Sequence, residues 1–184
     1  MHQLLLLFVW LLDLLAPSCP PDMAVAGLTC VDRYEAPNIE GANPLVMQSA
    51  EDAVAWCEAK GKRLCTETEW EWACYAAYEP CNNDKRWMEW DRKTVDSASE
   101  IKRLWQGSAS GDYPECRTPS GIYDLRGNVE EWVISKKAGP HTKRRDWPFT
   151  LKGGWWAKIT PCHKTNDAHE STFRFYQTGF RCCL

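Results

Sequence analysis

Two acidic residues on either side of a turn-forming pair could bind a metal ion. Asp124 and Glu131 lie in the segment 120–133 (SGIYDLRGNVEEWV), around Gly127-Asn128. A turn at this pair would direct both carboxylates and the intervening backbone carbonyls toward one point. Calcium takes about six to eight oxygen ligands of this kind. The pattern therefore indicates a calcium site, with a turn that carries two solvated acids as the alternative.

Cysteine and histidine supply two further groups with possible chemistry. The chain has ten Cys, but no C-x-x-C pair, so a zinc site of the usual spacing is not expected. Scattered cysteines instead favour disulfides. Cys65 precedes a predicted helix, a position that can make a thiol reactive, but a disulfide is the more common outcome there too. His163, Asp167 and His169 are close in sequence and could bind a metal, although loop residues with local hydrogen bonds are the more common outcome.

Composition restricts the class of protein. The 184 residues are 44% apolar and 26% charged, which is typical of one globular domain. The net charge of −3 argues against a nucleic-acid partner, which would normally require a basic surface. Eleven Trp together with ten Cys suit an exported fold that is held by aromatic packing and disulfides.

The N-terminus predicts export, with a buried N-terminal helix as the alternative. Residues 4–15 form an apolar run that is too short to span a bilayer, which needs about 20 residues, but fits a signal peptide. The predicted leader covers residues 1–27, with cleavage among the small residues 24–27 or a lipid anchor at Cys19. The expected location is therefore secreted, periplasmic or lipid-anchored at the cell surface. The remaining residues 28–184 are predicted to form one domain.

Few regular elements can be predicted to position these groups. Ser49 with Asp52 and Thr66 with Glu69 have the spacing of capping boxes, so two short helices should begin there. Gly61 can end the first helix. Short strands are plausible at residues 28–32, 129–134 and 173–182. Residues 80–119 are rich in turn formers and should form loops.

Several long motifs, in the same order along the chain, resemble the sulfatase-modifying factor family, also known as the formylglycine-generating enzyme family. They are 30–35 (CVDRYE), 55–57 (AWC), 61–73 (GKRLCTETEWEWA), 121–132 (GIYDLRGNVEEW), 151–156 (LKGGWW) and 179–182 (GFRC). The resemblance implies an α+β fold that is a variant of the C-type-lectin-like fold, with little regular secondary structure.

The resemblance also implies site residues. A calcium ion would be held by the side chains of Asp124 and Glu131 and by the backbone carbonyls of Gly127 and Val129. Two disulfides are implied, Cys57–Cys182 and Cys74–Cys162. Cys81–Cys116 follows by elimination only, which leaves one pair and one odd thiol among Cys30, Cys65 and Cys183.

The catalytic segment departs from the family pattern. Family enzymes that make formylglycine hold copper with two cysteines after the Gly-Gly motif, since soft thiolates suit monovalent copper. Here the segment after Gly153-Gly154 is short, and its Cys162 matches a structural cysteine. Copper is therefore not expected.

Two functions from different classes follow. The first is a non-catalytic, calcium-stabilised binding or accessory module for a protein, peptide or glycan. The second is an oxidoreductase that acts on protein cysteine, with another metal-dependent enzyme as a weaker alternative. Three tryptophans would lie near the family's substrate groove, or equally in a Trp-rich core: Trp132, Trp155 and Trp156.

Overall fold

The computed structural model describes residues 17–76, 107–136, 148–156 and 158–184. Within these ranges two helices and nine short strands form the α+β fold that the sequence predicts. The helices are α1 (Ala50–Ala59) and α2 (Glu67–Tyr75). The strands are β1 (Met23–Ala26), β2 (Thr29–Asp32), β3 (Arg63–Leu64), β4 (Glu130–Ile134), β5 (Phe149–Lys152), β6 (Gly154–Trp155), β7 (Lys158–Ile159), β8 (Thr178–Phe180) and β9 (Cys182–Cys183).

Both helices begin at the predicted capping boxes. Ser49 accepts the backbone N–H of Asp52 at 3.1 Å, and the Asp52 carboxylate accepts the Ser49 N–H at 2.8 Å. Thr66 and Glu69 repeat this exchange at the start of α2. Such caps satisfy N–H groups that have no partner inside the helix. Gly61 follows the end of α1 with a φ of +68°, a conformation that glycine adopts without strain.

The strands form three small sheets within the described ranges. The first has the order β1-β2-β9-β3 and is antiparallel. The second has the order β5-β4-β8, in which β4 is antiparallel to β5 and parallel to β8. The third is the β6-β7 pair. The C-terminal strands β8 and β9 therefore lie in different sheets and connect them.

The predicted strand over residues 173–182 is only partly correct. Regular pairing is limited to β8 and β9, because residues 170–177 form turns and irregular structure instead. The Phe173 N–H donates to the Glu170 carbonyl at 3.0 Å, and the Thr178 N–H donates to that of Phe175 at 3.1 Å. These local bonds use backbone groups that a longer strand would need for its neighbours.

The predicted leader, residues 1–27, overlaps the first strand of the fold. β1 lies inside the stretch that was assigned to leader cleavage, yet it pairs with β2 along its whole length. Met23 and Ala24 are buried by this pairing. The folded part of the chain therefore begins before residue 28. The apolar run at residues 4–15 lies outside the described residues.

Cys19 is bonded to Cys30, with an S–S distance of 2.02 Å. A sulfur atom in a disulfide cannot carry a thioether-linked lipid, so this bond and the predicted anchor at Cys19 exclude each other. The same bond ties the segment before β1 to β2. It also pairs one of the three cysteines that the sequence left unassigned.

Three long-range disulfides join the N-terminal half to the C-terminal segment. Two are the pairs implied by the family resemblance, Cys57–Cys182 at 1.97 Å and Cys74–Cys162 at 2.06 Å. The third is Cys65–Cys183 at 1.99 Å, which resolves the remaining pair. Cys116 is buried, and its predicted partner Cys81 lies outside the described residues.

Arg181 joins four segments from the interior of the fold. Its guanidinium forms a two-point ion pair with Glu131 of β4, at 2.8 Å from Nε and 2.6 Å from Nη2. Both side chains are fully buried. Arg181 also donates to the backbone carbonyls of Tyr123 at 2.8 Å and Asp32 at 3.2 Å. Trp70 of α2 donates its indole N–H to the same Glu131 carboxylate at 2.7 Å.

Two apolar clusters surround these buried charges. One lies between α2 and the first sheet and includes Trp70, Val31 and Ile122. The other lies between α1 and the second sheet and includes Trp132 and Phe180. Within the described ranges, none of the helices has the length and apolar content needed to cross a membrane.

The disulfide pattern can be tested directly. Non-reducing peptide mapping should recover Cys19 linked to Cys30 and Cys65 linked to Cys183, beside the two family pairs. Replacing Cys65 and Cys183 together by Ser should lower the free energy of unfolding by roughly 2–5 kcal/mol, as for native disulfides in small secreted domains. Recovery of Cys19 as a lipid thioether would contradict the described N-terminus.

The buried ion pair should dominate local stability. Arg181→Leu leaves the Glu131 charge buried with Trp70 as its donor, so it should cost about 3–5 kcal/mol in urea unfolding under oxidising conditions. Arg181→Lys should lose less, because it keeps the charge but not the two-point geometry. The matched control is Arg174→Leu, which breaks a surface pair with Asp52 and should cost much less, because solvent screens that pair. Equal losses at positions 181 and 174 would contradict the assigned role of Arg181.

Candidate functional site

The predicted turn around Gly127-Asn128 forms, and it lies in the interior. Asp124 and Asn128 both adopt left-handed backbone conformations, with φ values of +58° and +53°. Asp124 is 4% exposed and Glu131 is fully buried. The alternative of two solvated acids is therefore wrong.

Glu35 adds a third buried carboxylate to this region. Its Oε2 accepts the Ser110 hydroxyl at 2.6 Å and the Asn128 amide at 3.1 Å. Its Oε1 is buried and has no hydrogen-bond partner among the described residues. Burial, together with the nearby Asp124 charge, raises the pKa of Glu35 well above its usual value. One oxygen in this cluster is thus left without a donor.

Asp124 and Glu131 differ in their surroundings. The Gly111 N–H donates to Asp124 Oδ2 at 2.7 Å, but burial dominates and raises the pKa of Asp124 to about 6. Glu131 instead has both oxygens bonded to Arg181. Within the described ranges, no three His, Cys, Asp or Glu side chains converge as a metal centre. A cation here would therefore need backbone carbonyls, such as those of Gly127 and Val129, beside the carboxylates.

The donor chemistry of this region fits a hard cation. The carboxylates of Asp124 and Glu131 lie close enough to Glu35 to interact with it electrostatically, and the guanidinium of Arg181 lies near all three. Oxygen ligands with excess negative charge suit calcium. The unpartnered oxygen of Glu35 is consistent with a positive group near this cluster.

The three tryptophans of the predicted groove separate into two classes. Trp132 is buried, and its indole N–H donates to the Gln48 carbonyl at 2.9 Å. Trp156 is also buried and packs against Tyr176 at 5.7 Å between ring centroids. Both belong to the core, so their assignment to a groove is wrong. Trp155 is half-buried and lines a cavity.

This cavity, the Trp155 pocket, has a volume of about 320 Å³. Its charged lining groups are Glu130, Asp167, Lys158 and Lys164. Its other polar lining groups are Thr160, Thr165, Asn166, Gln177 and His169. Trp155 and Leu151 supply the apolar walls. Pockets that combine apolar walls with a few convergent polar groups are typical ligand sites.

Glu130 is the buried anchor of the Trp155 pocket. Its two oxygens accept hydrogen bonds from side-chain amides, Asn166 Nδ2 at 3.0 Å and Gln177 Nε2 at 3.2 Å. Burial raises the pKa of Glu130 against the opposing effect of these bonds and of the Lys158 charge. Sequence analysis missed Glu130; its place on a short strand next to Glu131 was the available signal, since neighbouring strand residues face opposite sides.

The floor of the Trp155 pocket is fixed by β5. Leu151 exchanges two backbone hydrogen bonds with Asn166, at 3.1 and 3.0 Å. The fully buried Lys152 binds Glu71 of α2 at 2.8 Å and the Thr165 hydroxyl at 3.2 Å. These contacts hold residues 165 and 166 against the sheet, so the polar groups of the pocket are preorganised.

The two glycines after Lys152 direct the chain along the pocket wall. Gly153 and Gly154 have φ values of +86° and +76°, a backbone conformation that is strained for residues with a side chain. A Cβ at Gly154 would lie 2.0 Å from the Lys158 carbonyl oxygen. This close approach forms the tight β6-β7 pair that places Trp155 and Lys158 side by side, with the Lys158 ammonium 5.8 Å from the indole centre.

A row of aromatic rings begins at the pocket. His169 lines the cavity and stacks on Phe173 at 3.7 Å, and Phe175 lies 5.8 Å from Phe173. Tyr176 follows Phe175 at 4.3 Å. We name these four residues the aromatic row. Its Phe175 ring is among the large exposed apolar side chains.

The predicted histidine cluster is only partly formed. Asp167 and His169 line the same pocket, whereas His163 is exposed and does not line it. Burial lowers the pKa of His169. The stacking of His169 on Phe173 indicates a packing role for its ring.

The residues after Gly153-Gly154 do not fit copper in the family manner. Cys162, Cys182 and Cys183 are the cysteines of this segment, and each is bonded to another cysteine. A disulfide sulfur lacks the thiolate charge that a soft-metal ligand needs. The structure thus assigns Cys162 to the structural pair with Cys74.

Comparison with known proteins places this fold and site in context. The sequence profile of the sulfatase-modifying factor enzyme 1-like domain matches residues 26–184. The chain is 32% identical over 104 residues to the formylglycine-generating enzyme of Mus musculus, covering 50% of this chain and 27% of that protein. It is 30% identical over 161 residues to the inactive C-alpha-formylglycine-generating enzyme 2 of Bos taurus, covering 76% and 49%.

Among solved structures, PvdO from Pseudomonas aeruginosa has a TM-score of 0.53 and 17% identity, covering 84% of this chain and 79% of that one. At this identity the similarity shows the fold alone. The chain spans less than half the length of both curated relatives described above. The profile match over most of the chain, on a fold with the expected disulfides, shows that this protein belongs to the sulfatase-modifying factor family.

Proposed function

We propose that this protein is an exported, non-catalytic binding or accessory member of the sulfatase-modifying factor family, stabilised by calcium. The observation that carries the proposal is the engagement of Cys162 with Cys74, which leaves the segment after Gly153-Gly154 without a thiol pair. The similarity to a relative named as inactive supports the same function. Four disulfides among the described residues favour an oxidising compartment and hence export.

Calcium would be held by Asp124 and Glu131 together with the carbonyls of Gly127 and Val129. Bound there, it would supply positive charge to a cluster of three buried carboxylates. Of these three, Glu131 is the one that forms an ion pair with Arg181. Its role would be structural, because it would neutralise buried charge and fix the turn before β4. Glu131 would then serve both the ion and Arg181.

The competing function is an oxidoreductase that acts on protein cysteine, which family membership favours. It requires a thiolate pair that can hold copper and activate oxygen beside the substrate. The pairing of Cys162, Cys182 and Cys183 in disulfides weighs against it. The Trp155 pocket is available for binding without such chemistry.

Calcium removal should destabilise the protein. A ligand that binds only the folded state adds stability by mass action, about 2.7 kcal/mol at a free concentration 100 times Kd. Protein shown by elemental analysis to be calcium-free should therefore have a lower Tm, which added calcium restores. Asp124→Ala should abolish this response, whereas Asp112→Ala, at a neighbouring exposed acid, should keep it. An identical Tm for calcium-free and calcium-loaded protein would contradict the site.

The protein should not generate formylglycine. Copper-loaded protein is incubated with a peptide that carries the family's Cys-x-Pro-x-Arg target, with an active family enzyme as the positive control. Mass spectrometry should show an unchanged cysteine, because no thiol pair is available to hold copper.

The catalytic alternative instead requires a free thiol at Cys162. Cys162→Ser and Cys74→Ser break the same disulfide, but only the first removes the thiol in question. Aldehyde formation that Cys162→Ser abolishes and Cys74→Ser retains would overturn the non-catalytic function.

A further inference from the structure

We propose that the Trp155 pocket binds one unit of a neutral oligosaccharide, and that the aromatic row carries the adjoining units. The inference rests on the proposed function as a non-catalytic binding protein and specifies the class of its ligand. It draws on the size, the charge balance and the hydrogen-bonding groups of the pocket.

The size of the pocket suits a single small polar unit. Its volume of about 320 Å³ lies at the lower end of the range for ligand cavities, roughly 300–1,000 Å³. A folded protein segment cannot enter such a space. A sugar ring or one amino-acid side chain can.

The charge balance of the pocket disfavours a strongly charged ligand. Glu130 and Asp167 face the same cavity as Lys158 and Lys164, so the formal charges are equal in number. An anionic ligand would approach the buried Glu130, and a cationic one would meet both lysines. A neutral polar molecule avoids both costs and leaves the interaction of Glu130 with the Lys158 charge in place.

The hydrogen-bonding groups suit hydroxyls, which both donate and accept. Glu130 accepts, while the amides of Asn166 and Gln177 can do either. The Trp155 indole N–H is buried and has no hydrogen-bond partner among the described residues. A ligand hydroxyl would give this donor the acceptor that it lacks. Several hydroxyls on one small ring match this set better than the single polar group of most side chains.

The apolar surfaces suit the C–H faces of sugar rings. Trp155 provides an indole wall, and the exposed Lys158 side chain above it can move aside for a ligand. The aromatic row continues from His169 inside the pocket to the exposed Phe175. Phe175 is the exposed ring of this row, and the neighbouring Tyr176 packs against the buried Trp156, so this end of the row offers a fixed ring surface to an adjoining unit.

The test uses the full-length, disulfide-bonded protein and isothermal titration calorimetry. The probes are neutral hexasaccharides of glucose, mannose and N-acetylglucosamine in their common linkages. At least one should bind, and Trp155→Ala should weaken it about tenfold or more through loss of the wall. Glu130→Gln should weaken it less, because it removes only the charge of one acceptor. Trp72→Ala, at an exposed tryptophan on α2, is the matched control and should leave the affinity unchanged.

Folding is checked by thermal melting of each variant. If Trp155→Ala is destabilised, Trp155→Phe takes its place, since it keeps a ring but loses the N–H, and it should bind with reduced affinity. A lysine hexapeptide, an acidic heparin hexasaccharide and a tyrosine-rich peptide serve as comparison probes.

The proposal is overturned if no neutral hexasaccharide binds, if binding survives the loss of Trp155, or if only a comparison probe binds in a Trp155-dependent way. The formylglycine assay does not depend on any of these outcomes. A negative result for sugar binding can therefore be distinguished from a result that contradicts the non-catalytic function, which would be aldehyde formation in the formylglycine assay.

Discussion

The burial of the Arg181 guanidinium is the constraint on which the rest of the fold depends. Placing a charge in an apolar interior is costly unless it is paired and fully hydrogen-bonded. Glu131 supplies the opposite charge and accepts two N–H groups, while the carbonyls of Tyr123, Asp32 and Arg33 accept the other three. A guanidinium can satisfy such a set only if β2, β4 and the loop before β4 all lie in their native positions. The buried ion pair therefore forms only when these segments are correctly placed relative to one another.

The ion pair also explains how a chain with so little regular structure keeps a defined shape. Arg181 lies between β8 and β9, which belong to different sheets. Cys182 and Cys183 follow immediately and are bonded to α1 and to the segment before α2. The ion pair, the pairing of β9 and two disulfides thus all involve residues 181–183. The short strands need not be stable by themselves, because the C-terminal segment fixes them to one another.

The proposed function depends on the segment that follows Gly153 and Gly154. Gly153 and Gly154 turn the chain sharply, and Lys152 binds Glu71 of α2. The residues beyond them contribute Trp155, Lys158 and a disulfide-bonded Cys162 in place of a thiol pair. The outcome is a preorganised polar pocket on a rigid support. Such a site is suited to recognition, which needs fixed geometry but no redox-active group.

Local features and those carried by long motifs could be predicted from the residues alone. Both capping boxes and the turn at Gly127-Asn128 depend on residues a few positions apart, so spacing was sufficient to predict them. Two disulfides were implied by the family resemblance. Only the tertiary structure decided that residues 23–26 form a strand, that Cys19 pairs with Cys30, and which tryptophan lines a pocket. The reason is that pairing partners and burial depend on register. On β4, adjacent residues point to opposite faces, so Glu131 meets Arg181 in the core while Glu130 faces the Trp155 pocket.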